Sequence, residues 1–163
     1  MRFLSYTHEG RQTFGAVNES GVVDLGIRHD ALPDLREAIR SDKLAELAVE
    51  ATTAPADVDI ADIEFLPTIP NPEKIICIGV NYANRNAEYK DGSAAPKYPS
   101  VFMRTRESLV GHEQNIMDPP ESEQLDYEGE IVIVIGKSGR RISQDNAHEH
   151  IAGLTIMNEG SVR

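Results

Sequence analysis

Apolar and polar residues alternate at the start of the chain in two short runs, Arg2 to Thr7 and Gln12 to Val17, on either side of Glu9-Gly10. A period of two predicts strands, and the intervening glycine predicts a tight hairpin turn. Gly21 to Leu25 predicts a third strand. From Leu32 the period lengthens: Leu32, Leu35, Ile39, Leu44 and Leu47 recur at helical spacing up to Glu50, with one slip at Ser41-Asp42. Pro33 suits a first helical turn. The stretch Thr52 to Asp57 loses all periodicity and reads as a linker. Pro67, Pro70 and Pro72 then punctuate the chain before the next apolar segment.

The second part of the chain is richer in strand signals. Lys74 to Val80 predicts a buried strand, and Ser100 to Met103 a short one. Between them, Asn81 to Asp91 is polar and reads as a helical turn or a loop. Ile116 to Pro120 leads into a loop of prolines and acids. Tyr127 to Gly136 is the strongest strand in the chain, because Ile131 to Ile135 is apolar on both faces and so predicts a covered sheet. Arg140-Arg141-Ile142 predicts a turn, Ser143 an N-cap for a short helix over Gln144 to His150, and Gly153 to Met157 a last strand. The pattern is α+β and β-rich, with a small N-terminal α+β domain over residues 1–65 and a second part over residues 66–163.

Composition narrows the function. The chain has 163 residues, with 16 Lys+Arg against 27 Asp+Glu, a net charge of -11 and a pI near 4.8. That balance excludes a nucleic-acid partner, which needs a basic face, and disfavours an anionic membrane surface. The length suits one domain, or one with a small appendage. A single cysteine, Cys77, rules out an internal disulfide and any CxxC metal site, and its apolar neighbours predict a buried, inert thiol. No apolar stretch reaches the roughly 18 residues of a membrane span, and Met1 to Glu9 has no apolar signal core. A cytoplasmic address follows by default. Charge is uneven: residues 74–106 hold six basic and two acidic groups, a local +4, and the remainder carries -15. A basic segment on an acidic protein suits a small anion; it suits an ordinary solvated loop as well.

Candidate chemistry lies on the strongest strand. Asp126, Glu128 and Glu130 fall on one face, since alternate strand residues point the same way. Carboxylates so close repel unless water, a basic partner or a divalent cation lies between them. Glu159, after the last predicted strand, is a third candidate ligand. Three carboxylates make a hard, all-oxygen set that suits Mg2+, Mn2+ or Ca2+ and not zinc. The residues alone leave two readings, a metal site or a solvated strand end.

The same residues carry a resemblance. Lys74-Ile75-Ile76-Cys77-Ile78-Gly79-Val80-Asn81-Tyr82-Ala83, then Pro99-Ser100-Val101-Phe102-Met103-Arg104, then Asp126-Tyr127-Glu128-Gly129-Glu130 with Val134-Ile135-Gly136-Lys137, then Ala152-Gly153-Leu154 and Asn158-Glu159-Gly160-Ser161-Val162-Arg163 resemble the fumarylacetoacetate hydrolase family in order and spacing. The resemblance implies the family's rolled mixed β-sheet barrel and a metal-dependent enzyme acting on 2-oxo acids and their enols. It implies a Mg2+ (or Mn2+/Ca2+) cofactor held by Glu128, Glu130 and Glu159, the last standing where the family usually has Asp. It implies a catalytic Glu88 on a lid segment, with Arg85 at the lid position where the family has His. It implies that Arg104 and Tyr82 are substrate-binding, with Tyr82 a packing rather than a catalytic group. It further implies a small anionic 2-oxo acid substrate and a homodimer.

Family activity of this kind includes C–C bond hydrolysis of acylpyruvate or fumarylpyruvate-type diketo acids in aromatic-compound or amino-acid catabolism. An always-charged Arg85 cannot act as a general base. That departure moves weight toward the alternatives: isomerisation, decarboxylation or hydration of 2-hydroxydienoates or oxo-diacids, or an inactive metal- or anion-binding homologue. Family chains continue past the motif at Asn158 to Arg163. The expectation is therefore that 163 residues are a fragment, with the C-terminal remainder of the catalytic domain outside this chain. His112, His148, His150, Arg140 and Arg141 are read as structural, and Asp126 as either a support for the first ligand or an exposed group.

Overall fold

Glu9 and Gly10 take φ of +48° and +78°. Two consecutive positive values make a type I′ turn, whose twist matches that of the strands it joins. Those strands are β1 (Arg2–His8) and β2 (Arg11–Asn18), antiparallel from His8 opposite Arg11 to Arg2 opposite Val17. β3 (Gly21–Asp24) pairs with β2, and β4 (Glu64–Phe65) with the other side of β1, giving a sheet in the order β3-β2-β1-β4. The computed structural model describes residues 1–81 and 97–162. They divide into two compact units, residues 1–69 with 110–163, and residues 70–109.

The N-terminal sheet is covered on both faces. Phe14, Ala16 and Val23 pack on one side with Leu25, Leu35, Ala38, Leu47 and Ala51. Leu4, Tyr6 and Val22 pack on the other with Val58, Ile63 and Phe65. Fully burying a side chain such as Phe14 or Leu47 contributes about 1.5–3 kcal/mol. Helices α1 (Leu25–Arg28), α2 (Leu35–Arg40) and α3 (Leu44–Thr53) supply the first cover. The single helix expected over Leu32 to Glu50 is two, broken where the period slips: Asp42 takes φ +56°. Pro33 lies outside the first turn, because Asp34 is the cap and accepts the Glu37 N–H at 2.7 Å. The expected linker is ordered. Asn18 Nδ2 donates to the Ala51 and Ala54 carbonyls that end α3, and the Asp57 N–H donates to the Val22 carbonyl at 2.8 Å.

Asp24 is fully buried at the end of β3 and caps α1, accepting the Ile27 N–H and the Thr13 hydroxyl, each at 2.9 Å, and pairing with Arg11. Burial alone would raise its carboxyl. The Ile27 N–H, Thr13, Tyr6 and Arg11 outweigh that and hold it below its ordinary value. Burial, then the Asp24 carboxylate, pushes the Tyr6 hydroxyl well up; that hydroxyl makes no well-formed hydrogen bond.

Residues 110–162 add a long hairpin. It is built from β7 (Leu125–Asp126), β8 (Gly129–Ile135), β9 (Ile151–Asn158) and β10 (Ser161–Val162). The connection between β8 and β9 turns at Arg141, φ +56°, and runs through a 3-10 helix over Gln144–His150. Ser143 stands at the N-cap but makes no side-chain cap bond. Gly111 anchors the preceding segment: a Cβ there would lie 2.0 Å from the Phe65 carbonyl oxygen, and Gln114 bonds Gly111 N–H, Glu64 and the Phe65 carbonyl.

In the other unit, β5 (Ile75–Gly79) pairs antiparallel with β6 (Ser100–Arg104). Two expectations of burial fail. Ile76 and Ile78 are exposed and Cys77 is half-buried; Ile131, Ile133 and Ile135 of β8 are exposed as well. A two-stranded ribbon has no second layer of its own to cover both faces. The fold is α+β and strand-rich. No helix among the described residues is long and apolar enough to cross a membrane.

Candidate metal centre

β7 and β8 share one register with β10 and β9. Leu125 lies opposite Val162, Asp126 opposite Ser161, Gly129 opposite Asn158 and Glu130 opposite Met157. The ladder is interrupted between these stretches, so the expected strand over Tyr127 to Gly136 begins at Gly129. The shared register sets Glu128 opposite Glu159 at the interruption. The Glu159 N–H donates to the Glu128 carbonyl at 2.7 Å. In an antiparallel pair of this type the opposite N–H normally returns to the facing carbonyl. Here the Glu128 N–H donates instead to Asn158 Oδ1 at 3.0 Å. The Glu159 carbonyl accepts from Ser161 Oγ at 3.4 Å.

Glu130 is two residues beyond Glu128 and therefore on the same face. Glu128 and Glu130 are half-buried, and Glu159 is 7% exposed. The opposite face of the hairpin carries Ile131, Ile133, Leu154 and Ile156 in the open. The strand pair thus sorts its residues, carboxylates to one face and exposed aliphatics to the other.

The donor set fits a hard divalent cation in chemistry and in backbone placement: carboxylate oxygen only, within one strand repeat and its cross-strand neighbour. Among the described residues no three His, Cys, Asp or Glu side chains already form a metal-holding group. Closing Glu128, Glu130 and Glu159 onto one ion therefore takes rotation of their side chains, and each Glu has three rotatable bonds for it.

The remaining candidates are placed as follows. Asp126 is exposed beyond the interruption, its Oδ1 accepting the Tyr127 N–H at 2.9 Å. Arg104 ends β6, half-buried, with its guanidinium 6.0 Å from the centre of the Phe102 ring. Tyr82, Arg85 and Glu88 lie outside the described residues. His112 stacks edge-on to Phe65 at 5.0 Å, and His150 Nδ1 lies 2.8 Å from the Lys137 carbonyl oxygen. Asn158 is the residue that reasoning from sequence passed over. It was legible as the first residue of the motif Asn158 to Arg163, but no role was assigned to it, although Asn commonly bonds nearby backbone.

Residues 74–163, which include every one of these carboxylates, match the family model for the fumarylacetoacetate (FAA) hydrolase C-terminal domain. The chain belongs to the fumarylacetoacetate hydrolase family. Among the family's curated proteins, the mitochondrial oxaloacetate tautomerase FAHD2A of Bos taurus is 32% identical over 149 residues, 90% of this chain and 47% of that protein. The oxaloacetate tautomerase YisK of Bacillus subtilis is 40% identical over 106 residues, 64% of this chain and 35% of that protein. Among solved structures, the fumarylacetoacetate hydrolase of Exiguobacterium antarcticum superposes with a TM-score of 0.78 at 29% identity, over 99% of this chain and 56% of that one. The chain spans about half the length of the curated relatives it matches.

Proposed function

We propose that this chain is part of a divalent-metal-dependent enzyme that interconverts the keto and enol forms of a small, anionic 2-oxo diacid. The observation that carries the reading is the carboxylate face: Glu128 and Glu159 side by side across the strand pair, with Glu130 on the same face. Its similarity to two oxaloacetate tautomerases supports that substrate class.

In this reading Glu128, Glu130 and Glu159 hold Mg2+ or Mn2+. The ion would supply Lewis-acid stabilisation of negative charge on the 2-oxygen of the substrate. Glu88 moves the proton to and from C3. Arg85 and Arg104 take the distal carboxylate, for which a guanidinium fork is suited. Tautomerisation needs one proton carrier and no activated water. That is why it fits a site with Arg85 in place of an imidazole, since a guanidinium cannot take a proton from water.

Similarity to the Exiguobacterium hydrolase supports a second reading, C–C bond hydrolysis of an acylpyruvate-type diketo acid. Ultraviolet absorbance separates the two in the full-length protein. We expect Mg2+- or Mn2+-dependent decay of enol-oxaloacetate faster than the metal alone produces, with acylpyruvates left intact. Acylpyruvate cleavage without faster tautomerisation would favour hydrolysis and overturn the first reading.

A further inference from the structure

We infer that Asn158 is a positioning residue that sets the separation of Glu128 and Glu159; the inference rests on the proposed metal site. Both strands reach Glu128 and Glu159 in register, yet only half of their reciprocal pair is closed by backbone. The Glu159 N–H reaches the Glu128 carbonyl at 2.7 Å, while the Glu128 N–H is taken by Asn158 Oδ1 at 3.0 Å. The Asn158 side chain therefore stands in for the carbonyl of the residue that follows it. That carbonyl turns instead to the Ser161 hydroxyl at 3.4 Å.

Two consequences follow. The backbone can open after Glu128 and Glu159 while the Glu128 N–H keeps a protein acceptor. The opening also frees the two Glu backbones from the fixed spacing of a closed pair. An amide side chain now sets that spacing, and with it the separation of the carboxylates. Support of this kind typically governs metal affinity by about 10–100-fold. Asn158 itself lies opposite Gly129 on the other face, so it touches no ion and acts only through the Glu128 backbone.

The test is Mn2+ affinity of the full-length protein, read by electron paramagnetic resonance of free Mn2+, with amide exchange at Glu128 measured alongside. Asn158→Leu keeps the volume and removes the acceptor. Asn158→Ala is a second acceptor-free variant should the first destabilise the fold. We expect either variant to speed exchange of the Glu128 amide and to weaken Mn2+ binding about tenfold, with the melting temperature of the metal-free protein little changed. Mn2+ binding within about twofold of wild type, alongside a large loss in Glu128→Gln, overturns the role of Asn158 and leaves the metal site standing. Unchanged binding in Glu128→Gln as well overturns the metal site, and the inference with it.

Discussion

Glu159 donates its backbone N–H to the Glu128 carbonyl at 2.7 Å, so two carboxylate-bearing residues face each other directly across an antiparallel strand pair. Facing like charges are destabilising in a sheet. Their opposition becomes useful where a divalent cation sits between them, because the repulsion is replaced by coordination. Glu130, one strand repeat away, puts a third carboxylate on the same face.

Glu88→Gln in the full-length protein is expected, on the proposed function, to lower turnover of enol-oxaloacetate roughly hundred- to ten-thousand-fold, as loss of a general acid–base does. Its Mn2+ affinity should stay at the wild-type value. Arg85→Ala should raise KM for a 2-oxo diacid and leave KM for a 2-oxo monoacid unchanged. Steady-state kinetics on the two substrates check both, and a turnover loss that follows lost metal binding would remove Glu88 from the proton-transfer role.

Asp24 predicts an acid-sensitive N-terminal sheet. Its carboxyl is held below its ordinary value of 3.8. It therefore contributes stability that is present above about pH 4 and lost as pH falls through the lowered value. Asp24→Ala removes the α1 cap and the partner of Thr13 and Arg11, at a cost of about 3 kcal/mol. Urea unfolding from pH 7 to pH 2 should show a falling limb in wild type that is shallower in Asp24→Asn.

Gly10 holds φ +78° with nothing within 4 Å of where a Cβ would stand, so only the backbone resists substitution. Gly10→Ala should cost about 1 kcal/mol. The melting temperature should fall by about 2–4 °C. A fall of similar size for Glu9→Gly would contradict the type I′ assignment, since glycine relieves strain at that position.

The hairpin's outer face carries Ile131, Ile133, Leu154 and Ile156 at 72%, 53%, 68% and 85% exposure. Apolar patches of this kind bind hydrophobic dyes and promote association. The 163-residue polypeptide should enhance anilinonaphthalene sulfonate fluorescence, and the Ile131→Ser, Ile156→Ser double variant should reduce it. Equal fluorescence in both would place the dye elsewhere.

The N-terminal sheet was legible because its signals are local. Alternation over Arg2 to Val17 and the Glu9-Gly10 turn each act within a few residues. The helix break was legible only as a slip in spacing at Ser41-Asp42; its meaning lay in the positive φ of Asp42. Asp57 read as linker because its bond partner, Val22, is 35 residues away and periodicity carries no information about such pairs. Glu128, Glu130 and Glu159 were visible as residue types, and Glu128 with Glu130 also by strand alternation. That Glu128 faces Glu159 just beyond the ends of β8 and β9 depends on register, which the apolar pattern of β8, two-sided as it is, fixes weakly. Asn158 was invisible as a participant because its role consists of one hydrogen bond at a break in that ladder.

The most direct test of the carboxylate centre is Mn2+ binding by the full-length protein, measured calorimetrically for wild type, Glu128→Gln and Glu159→Gln. Loss of a ligand carboxylate should exceed the roughly 10–100-fold effect of a supporting residue. The prediction is saturable Mn2+ binding in wild type, strengthened by oxalate as a mimic of the 2-oxo acid head group, and nearly abolished in either variant. Wild-type affinity retained in both variants would contradict the assignment of Glu128 and Glu159 as metal ligands.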